Sequence, residues 1–109
     1  MLPDAELATT DPAKLRDYLL SPSHPVGRFK AAVFHALGYT QQSWPRLQAD
    51  LLALAQSNPA VAGLANDFGQ LYEVSGKLQC PNGQSAWFLS VWMVKSGETI
   101  PRFVTAYPR

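Results

Sequence analysis

The sequence holds a single cysteine, Cys80, in 109 residues. One cysteine excludes an intrachain disulfide framework and any CxxC zinc spacing. Cys80 then reads as a small apolar strand residue. Charge of one sign is also lacking: nine Lys and Arg stand against eight Asp and Glu, a formal net charge of +1. A dedicated non-specific nucleic-acid binder carries a clear basic excess. The balance argues against that role and leaves room for a local basic site. No basic segment followed by an apolar run opens the chain, so no secretory signal is read. No apolar run approaches the ~18–20 residues of a membrane-spanning helix. Gly-rich phosphate loops, HExxH and GxSxG are absent, and no metal or cofactor is expected. The resulting expectation is a soluble, cytoplasmic protein without a membrane association.

What is present suits one domain spanning 1–109, with 47% hydrophobic residues to fill a single core. Its organising stretch is Ser85–Tyr107. Two runs rich in β-branched and aromatic residues flank a short turn at Gly97, the pattern of a β-hairpin. Leu71–Cys80 reads as a preceding strand, joined to the hairpin by the Asn82-Gly83 turn, with a bulge expected at Gly76. Both faces of Ser85–Lys95 are apolar, so this strand is central and needs cover on each side. The helices supply one cover. The other falls to a loop, the N-terminal arm or a partner chain.

Upstream, residues 1–10 show no periodicity and read as a mobile arm or a short edge strand. Asp11-Pro12 starts a helix, as N-cap and first helical residue, with Leu15, Tyr18 and Leu19 on one face. Pro22 and Pro25 end it. A second helix runs from near Pro25 to Leu37, with Phe29, Ala32, Val33 and Ala36 as its apolar stripe and Gly38 as its stop. A third starts after Ser43, with Trp44, Leu47, Leu51 and Leu54 or Ala55 buried, and ends at Ser57-Asn58-Pro59. Residues 60–67 read as a loop. The fold class is α+β: about three N-terminal helices on a small antiparallel meander of three main strands.

Two places carry candidate chemistry. His24 lies between prolines just before a helix, with Arg28 and Lys30 in the first turn. That is the wrong end of the helix dipole for cations, and a helix N-terminus with cations nearby can hold a phosphate. A histidine beside it can act as general acid or base. The plainer reading has His24 hydrogen-bonding locally to fix its loop. The last strand offers Arg102, Thr105 and Tyr107. A regular pleat puts Thr105 and Tyr107 on one face and Arg102 on the other, so they converge only with a bend or bulge. His35, mid-helix with no acid or second histidine at ligand spacing, reads as structural. Trp87, Leu89 and Met93 line the second face of the central strand and are the candidate interface for a second copy or a protein partner.

Tyr-Leu-Leu-Ser-Pro-Ser-His-Pro-Val-Gly-Arg-Phe-Lys-Ala at 18–31, Leu-Gly-Tyr at 37–39 and Pro-Arg-Phe-Val-Thr-Ala-Tyr-Pro at 101–108 together carry a resemblance. The chain resembles, over roughly residues 13–108, a bacterial domain family of unknown function of the form YLLNPxHPxGxxKAxxF…LGY…VW…PRLVTAYP. Such domains are similar to the C-terminal nuclease domains of polymorphic and contact-dependent toxins, which share a fold with barnase, EndoU and RelE. The resemblance implies metal-independent RNA cleavage by 2′-hydroxyl attack. His24 would be acid or base, Lys30 and Arg102, with Arg28 beside them, would stabilise the phosphate, and Thr105 and Tyr107 would position it.

Other features favour a different role. The charge is near neutral, Trp87-Phe88-Leu89 is wholly apolar where relatives carry a basic residue, and three strands are one fewer than such nucleases show. A chain headed by its own Met1 fits a stand-alone protein. The first expectation is therefore a non-enzymatic interaction, accessory or dimerising module. The alternative is a toxin-like ribonuclease, with RNA as a partner only in that case.

Overall fold

Fully buried Phe34 stacks on Phe88 with ring centroids 5.2 Å apart, and that contact joins the helical half of the chain to the sheet. The computed structural model describes all residues, Met1–Arg109. Three helices precede one four-stranded antiparallel sheet, so the fold is α+β. α1 (Pro12–Lys14) continues directly into a π-helical turn (Leu15–Leu19). Then come α2 (Arg28–Ala36), α3 (Trp44–Ser57), and strands β1 (Ala60–Asn66), β2 (Gly69–Gln79), β3 (Ser85–Lys95) and β4 (Arg102–Pro108). The sheet order is β1-β2-β3-β4, a meander.

α1 begins as its sequence dictates. The Asp11 carboxylate accepts the Ala13 N–H (3.0 Å) and Pro12 sits at the first position, where no donor is needed. The following turn widens, with Leu20 N–H bonded to the Leu15 carbonyl five residues back. Leu15, Leu19 and Leu20 are all buried there. α3 buries Leu47, Leu51, Leu54 and Ala55 of the expected stripe, with Trp44 only partly buried. Asn58 ends it by donating to the Leu54 carbonyl (2.8 Å).

α2 departs from expectation. It starts at Arg28 rather than Pro25, and its buried face is Ala31 and Phe34. Phe29 is 67% exposed and Val33 lies at the surface too. Both faces of this helix are apolar enough to be the inner one, and the aromatic packing of Phe34 against Phe88 and Tyr39 decides between them.

Residues 60–67 correct the strand count from three to four. β1 pairs antiparallel with β2 from Ala60↔Val74 to Asn66↔Gly69. Its Ala- and Gly-rich, mostly exposed residues carry no alternation, so backbone pairing alone holds it. The turn between them is fixed by Asn66, whose Oδ1 accepts from Phe68 and Gly69 N–H. The bulge expected at Gly76 is absent: β2 and β3 pair without a shift through Gly76↔Phe88. Gly76 is needed for another reason, since a Cβ there would lie 2.6 Å from Asn58 Nδ2.

The first ten residues are no mobile arm. Leu2, Ala5 and Ala8 enter the core. Thr9 forms a parallel bridge to Arg102, donating to the Pro101 carbonyl (3.0 Å) and accepting from Phe103 N–H (2.9 Å). The edge-strand reading therefore holds for a single bridge. The core is one cluster between the helices and the inner sheet face. Its buried polar hydroxyl, Ser90, donates to the Val74 carbonyl and accepts from Trp92 Nε1–H.

A polar clamp closes the helical end. The hydroxyl of buried Tyr39 donates to Asp50 (2.6 Å), and Arg46 donates to the same carboxylate and to the Gln79 carbonyl. Burial first, then the hydrogen bond to Asp50 and its charge, push the Tyr39 phenol well above its ordinary 10.0. Above that value the unfolded state loses a proton that the folded state keeps, so stability falls as pH rises. Urea unfolding at neutral pH and at about pH 11 is expected to show a loss of about 1.4 kcal/mol in total from this group, most of it as the slope above 10.0. Tyr39→Phe is expected to remove that slope and to cost about 1.5–3 kcal/mol at neutral pH. An unchanged alkaline slope in Tyr39→Phe would assign it to other groups.

Candidate functional site

Pro22 and Pro25 break the helical path between the π-turn and α2, and the intervening loop is held by its own histidine. His24 Nδ1 accepts two backbone hydrogen bonds, from Val26 N–H (3.0 Å) and Gly27 N–H (2.9 Å). The ring thus caps donors at the entry to α2, as an Asn or Asp side chain would. A proton on Nδ1 would meet both N–H groups, so the ring proton sits on Nε2. His24 lines an open cleft of about 600 Å³. The Tyr18 ring meets its edge at 5.0 Å and 72°. Gly27 makes this approach feasible, because a Cβ there would lie 2.1 Å from the Tyr18 carbonyl oxygen.

Lys30 faces the same cleft from one turn into α2. Its Nζ donates to Thr105 Oγ1 (2.7 Å) and stands over the rings of Tyr18 (5.5 Å) and Tyr107 (6.0 Å). No carboxylate lies within salt-bridge distance of it. Lys30 and Thr105 are both half-buried. Lys14 borders the cleft and donates to the Phe103 and Val104 carbonyls. The acid on the cleft wall, Asp17, is bound bidentately by Arg16 (2.9 and 3.0 Å), which holds its carboxyl below the usual range.

β4 reaches this arrangement through a bulge. Trp92 pairs with Phe103 and Val91 with Thr105, so Val104 is the extra residue. Arg102, Thr105 and Tyr107 then stand opposite Met93, Val91 and Leu89, alternate residues of β3 on one face. The regular pleat had separated Arg102 from the other two. Arg102 nevertheless turns away from the cleft and pairs with Glu98 (3.0 Å).

The structure brings together His24, Lys30 and Thr105, with Tyr107 at the border. It does not bring Arg28 or Arg102 to them: Arg28 stacks over Phe29 at 4.6 Å and is exposed. His35 Nε2–H donates to the Leu20 carbonyl (2.9 Å), a structural contact. Of the proposed interface residues, Trp87 is 53% exposed and Met93 half-buried, while Leu89 is only 6% exposed. Leu89 lies in the row where Arg109 reaches across to Ser75 Oγ (2.6 Å). Sequence reasoning missed Tyr18, Lys14 and Asp17 as cleft residues. Tyr18 had the spacing of a core residue, and Lys14 and Asp17 the look of a solvated face. No group of three His, Cys, Asp or Glu side chains is placed to hold a metal ion. No helix is long and apolar enough to cross a membrane.

No curated protein matches the chain. Among solved structures, it is similar to a contact-dependent growth inhibition toxin–immunity protein complex from Klebsiella pneumoniae 342. The TM-score is 0.72 at 20% identity, covering 94% of this chain and 100% of that one. At that identity the likeness speaks to the fold. The model of a domain of unknown function, DUF6883, matches residues 1–109, and the chain belongs to that family.

Proposed function

We propose that this chain is a metal-independent ribonuclease whose site is the cleft of His24, Lys30, Thr105 and Tyr107. The observation that carries the reading is Lys30. A half-buried ammonium with no carboxylate partner, held by one hydroxyl and two aromatic rings, is arranged for an anion that arrives from solution. The His24 ring beside it offers Nε2–H to the same space. Two donors converging on one open cleft suit the oxygens of a phosphodiester.

In the reaction the 2′-oxygen forms a bond to phosphorus, the bond to the 5′-oxygen breaks, and a 2′,3′-cyclic phosphate results. The proton of the 2′-hydroxyl passes to Nε2 of His24 in the tautomer that carries its proton on Nδ1, and the 5′-oxygen takes a proton back from Nε2 of the doubly protonated ring. Lys30 neutralises charge on the non-bridging oxygens, and Thr105 holds Lys30 in place. Tyr107 stands behind Lys30, its ring 6.0 Å from the ammonium. His24 donates through Nε2–H in the resting arrangement. To carry protons as acid and base it must pass through the form protonated at both nitrogens, which releases the Val26 and Gly27 N–H groups. Its catalytic cycle is thereby linked to a loosening of the loop at 24–27. The toxin–immunity complex with the same fold supports this reading by analogy only.

A second reading, an interaction or dimerising module, rests on a separate observation. The outer sheet face carries exposed Trp87 and half-buried Leu71, Val91 and Met93, and the core cluster lies on the other side. The solved structure of like fold is itself a protein–protein complex.

Two measurements test these readings. The purified chain is expected to cleave RNA without added metal, leaving a cyclic phosphate. His24→Asn keeps an acceptor for the loop amides, so it should fold normally by circular dichroism yet lose cleavage by about 10²–10⁴-fold. Cleavage at the wild-type rate by His24→Asn would remove His24 from the reaction. For the second reading, sedimentation equilibrium is expected to give a concentration-dependent dimer that Trp87→Ala dissociates. A monomer at every concentration would end the dimer form of it.

A further inference from the structure

A second cavity adjoins the cleft along β4. Its volume is about 610 Å³, and Lys14, Lys95, Arg102, Thr9 and Asp11 line it. Lys14 and Val104 belong to both walls, so the two spaces run on as one groove along the strand edge. Three cations meet there. Neither Lys14 nor Lys95 has a carboxylate partner. Arg102 is paired with Glu98, but both side chains are substantially exposed, and such a pair is readily exchanged for a better anion. Asp11 is already committed to the Ala13 N–H.

We propose that this cavity is a second phosphate subsite for single-stranded RNA, holding a phosphate next to the one bound at Lys30. The inference rests on the reading of the cleft as the cleavage site and adds the form of its substrate. Register gives the spacing. Thr105 stands opposite Val91 and Arg102 opposite Met93, two residues along β3, or about 7 Å. That matches the step between successive phosphates of an extended strand. Arg102 thus has a place on the substrate, one nucleotide away from the bond that breaks. A duplex would present its phosphates on a rigid helix, whereas a groove beside a strand edge, with half-buried Met93 on its wall, suits an extended chain.

The test separates binding from cleavage. A fluorescent single-stranded 2′-O-methyl-uridine oligomer lacks the nucleophile and cannot be cut. Its affinity for the full chain is measured by anisotropy over a range of salt. Each phosphate contact contributes about 0.7 to the slope of log K against log salt for a single strand. Lys95→Gln with Arg102→Gln removes one phosphate contact and is expected to flatten that slope by about 0.7, while Lys77→Gln, stacked over Trp87 away from the groove, leaves it unchanged. Both substituted residues are exposed, and circular dichroism checks the fold. An unaltered slope in the double variant, an equal change in Lys77→Gln, or no binding by the wild type would each overturn the subsite. RNA cleavage together with an unaltered slope would leave the nuclease standing without it. A flattened slope without any cleavage would keep the groove as an RNA-binding site and end the nuclease reading.

Discussion

The rotation of α2 about its own axis is the constraint on which the rest depends, and Phe34 sets it. A nine-residue helix with apolar residues on two sides has two ways to lie on a sheet. Stacking on Phe88 and the edge contact with Tyr39 select the one that turns Ala31 and Phe34 inward. Lys30 precedes Ala31 and comes to the margin of the buried face, within reach of β4. Had Phe29 and Val33 packed inward instead, Lys30 would have swung away from Thr105. A core contact between two phenylalanines therefore fixes the position of the Lys30 ammonium in the cleft. Packing at protein density admits few intermediate rotations, so such a choice is close to all or none.

The edge of β4 needs its own solution. An exposed edge strand invites pairing with another chain. Here Thr9 covers one end with a single bridge, Val104 bulges out of the ladder, and Lys14 takes the two carbonyls that the bulge leaves. Lys30 occupies Thr105. The devices that keep this edge from pairing are the same groups that line the groove. A bulge and two lysines blunt the strand and, by doing so, gather positive charge along it.

How far the sequence revealed this depends on the kind of signal. The N-cap at Asp11, the buried stripe of α3 and the Asn82-Gly83 turn were legible because each is a local chemical preference. β1 was not, since Ala-Val-Ala-Gly-Leu-Ala has neither alternation nor strong β-propensity and takes its structure from β2. The face of α2 was misread because Phe29 and Val33 had helical spacing as good as that of Phe34. In the site, His24, Lys30, Thr105 and Tyr107 were readable as candidates from residue type and from the family resemblance. Their meeting was not readable, because it needs the Val104 bulge, and no residue there announces one. Gly76, which did look like a bulge, marks a close approach by Asn58 instead. Glycine in a strand has both meanings, and only the neighbour across the gap tells them apart.

Net charge says nothing of how the charges are paired. All three salt bridges use arginine: Arg16 with Asp17, Arg46 with Asp50, Arg102 with Glu98. Arginine's planar fork fits a carboxylate better than an ammonium does. No lysine is neutralised in this way, and Lys14, Lys30 and Lys95 all border the groove along β4. The acids that bring the total to +1 are elsewhere or already engaged. A formal sum treats all nine cations as equal. The structure sorts them: Arg16, Arg46 and Arg102 are paired with acids, while Lys14, Lys30 and Lys95 stand without a carboxylate along one groove. A near-neutral chain can thus gather cations without acid partners along one groove, because a field in a cleft depends on which charges are unpaired and not on how many there are.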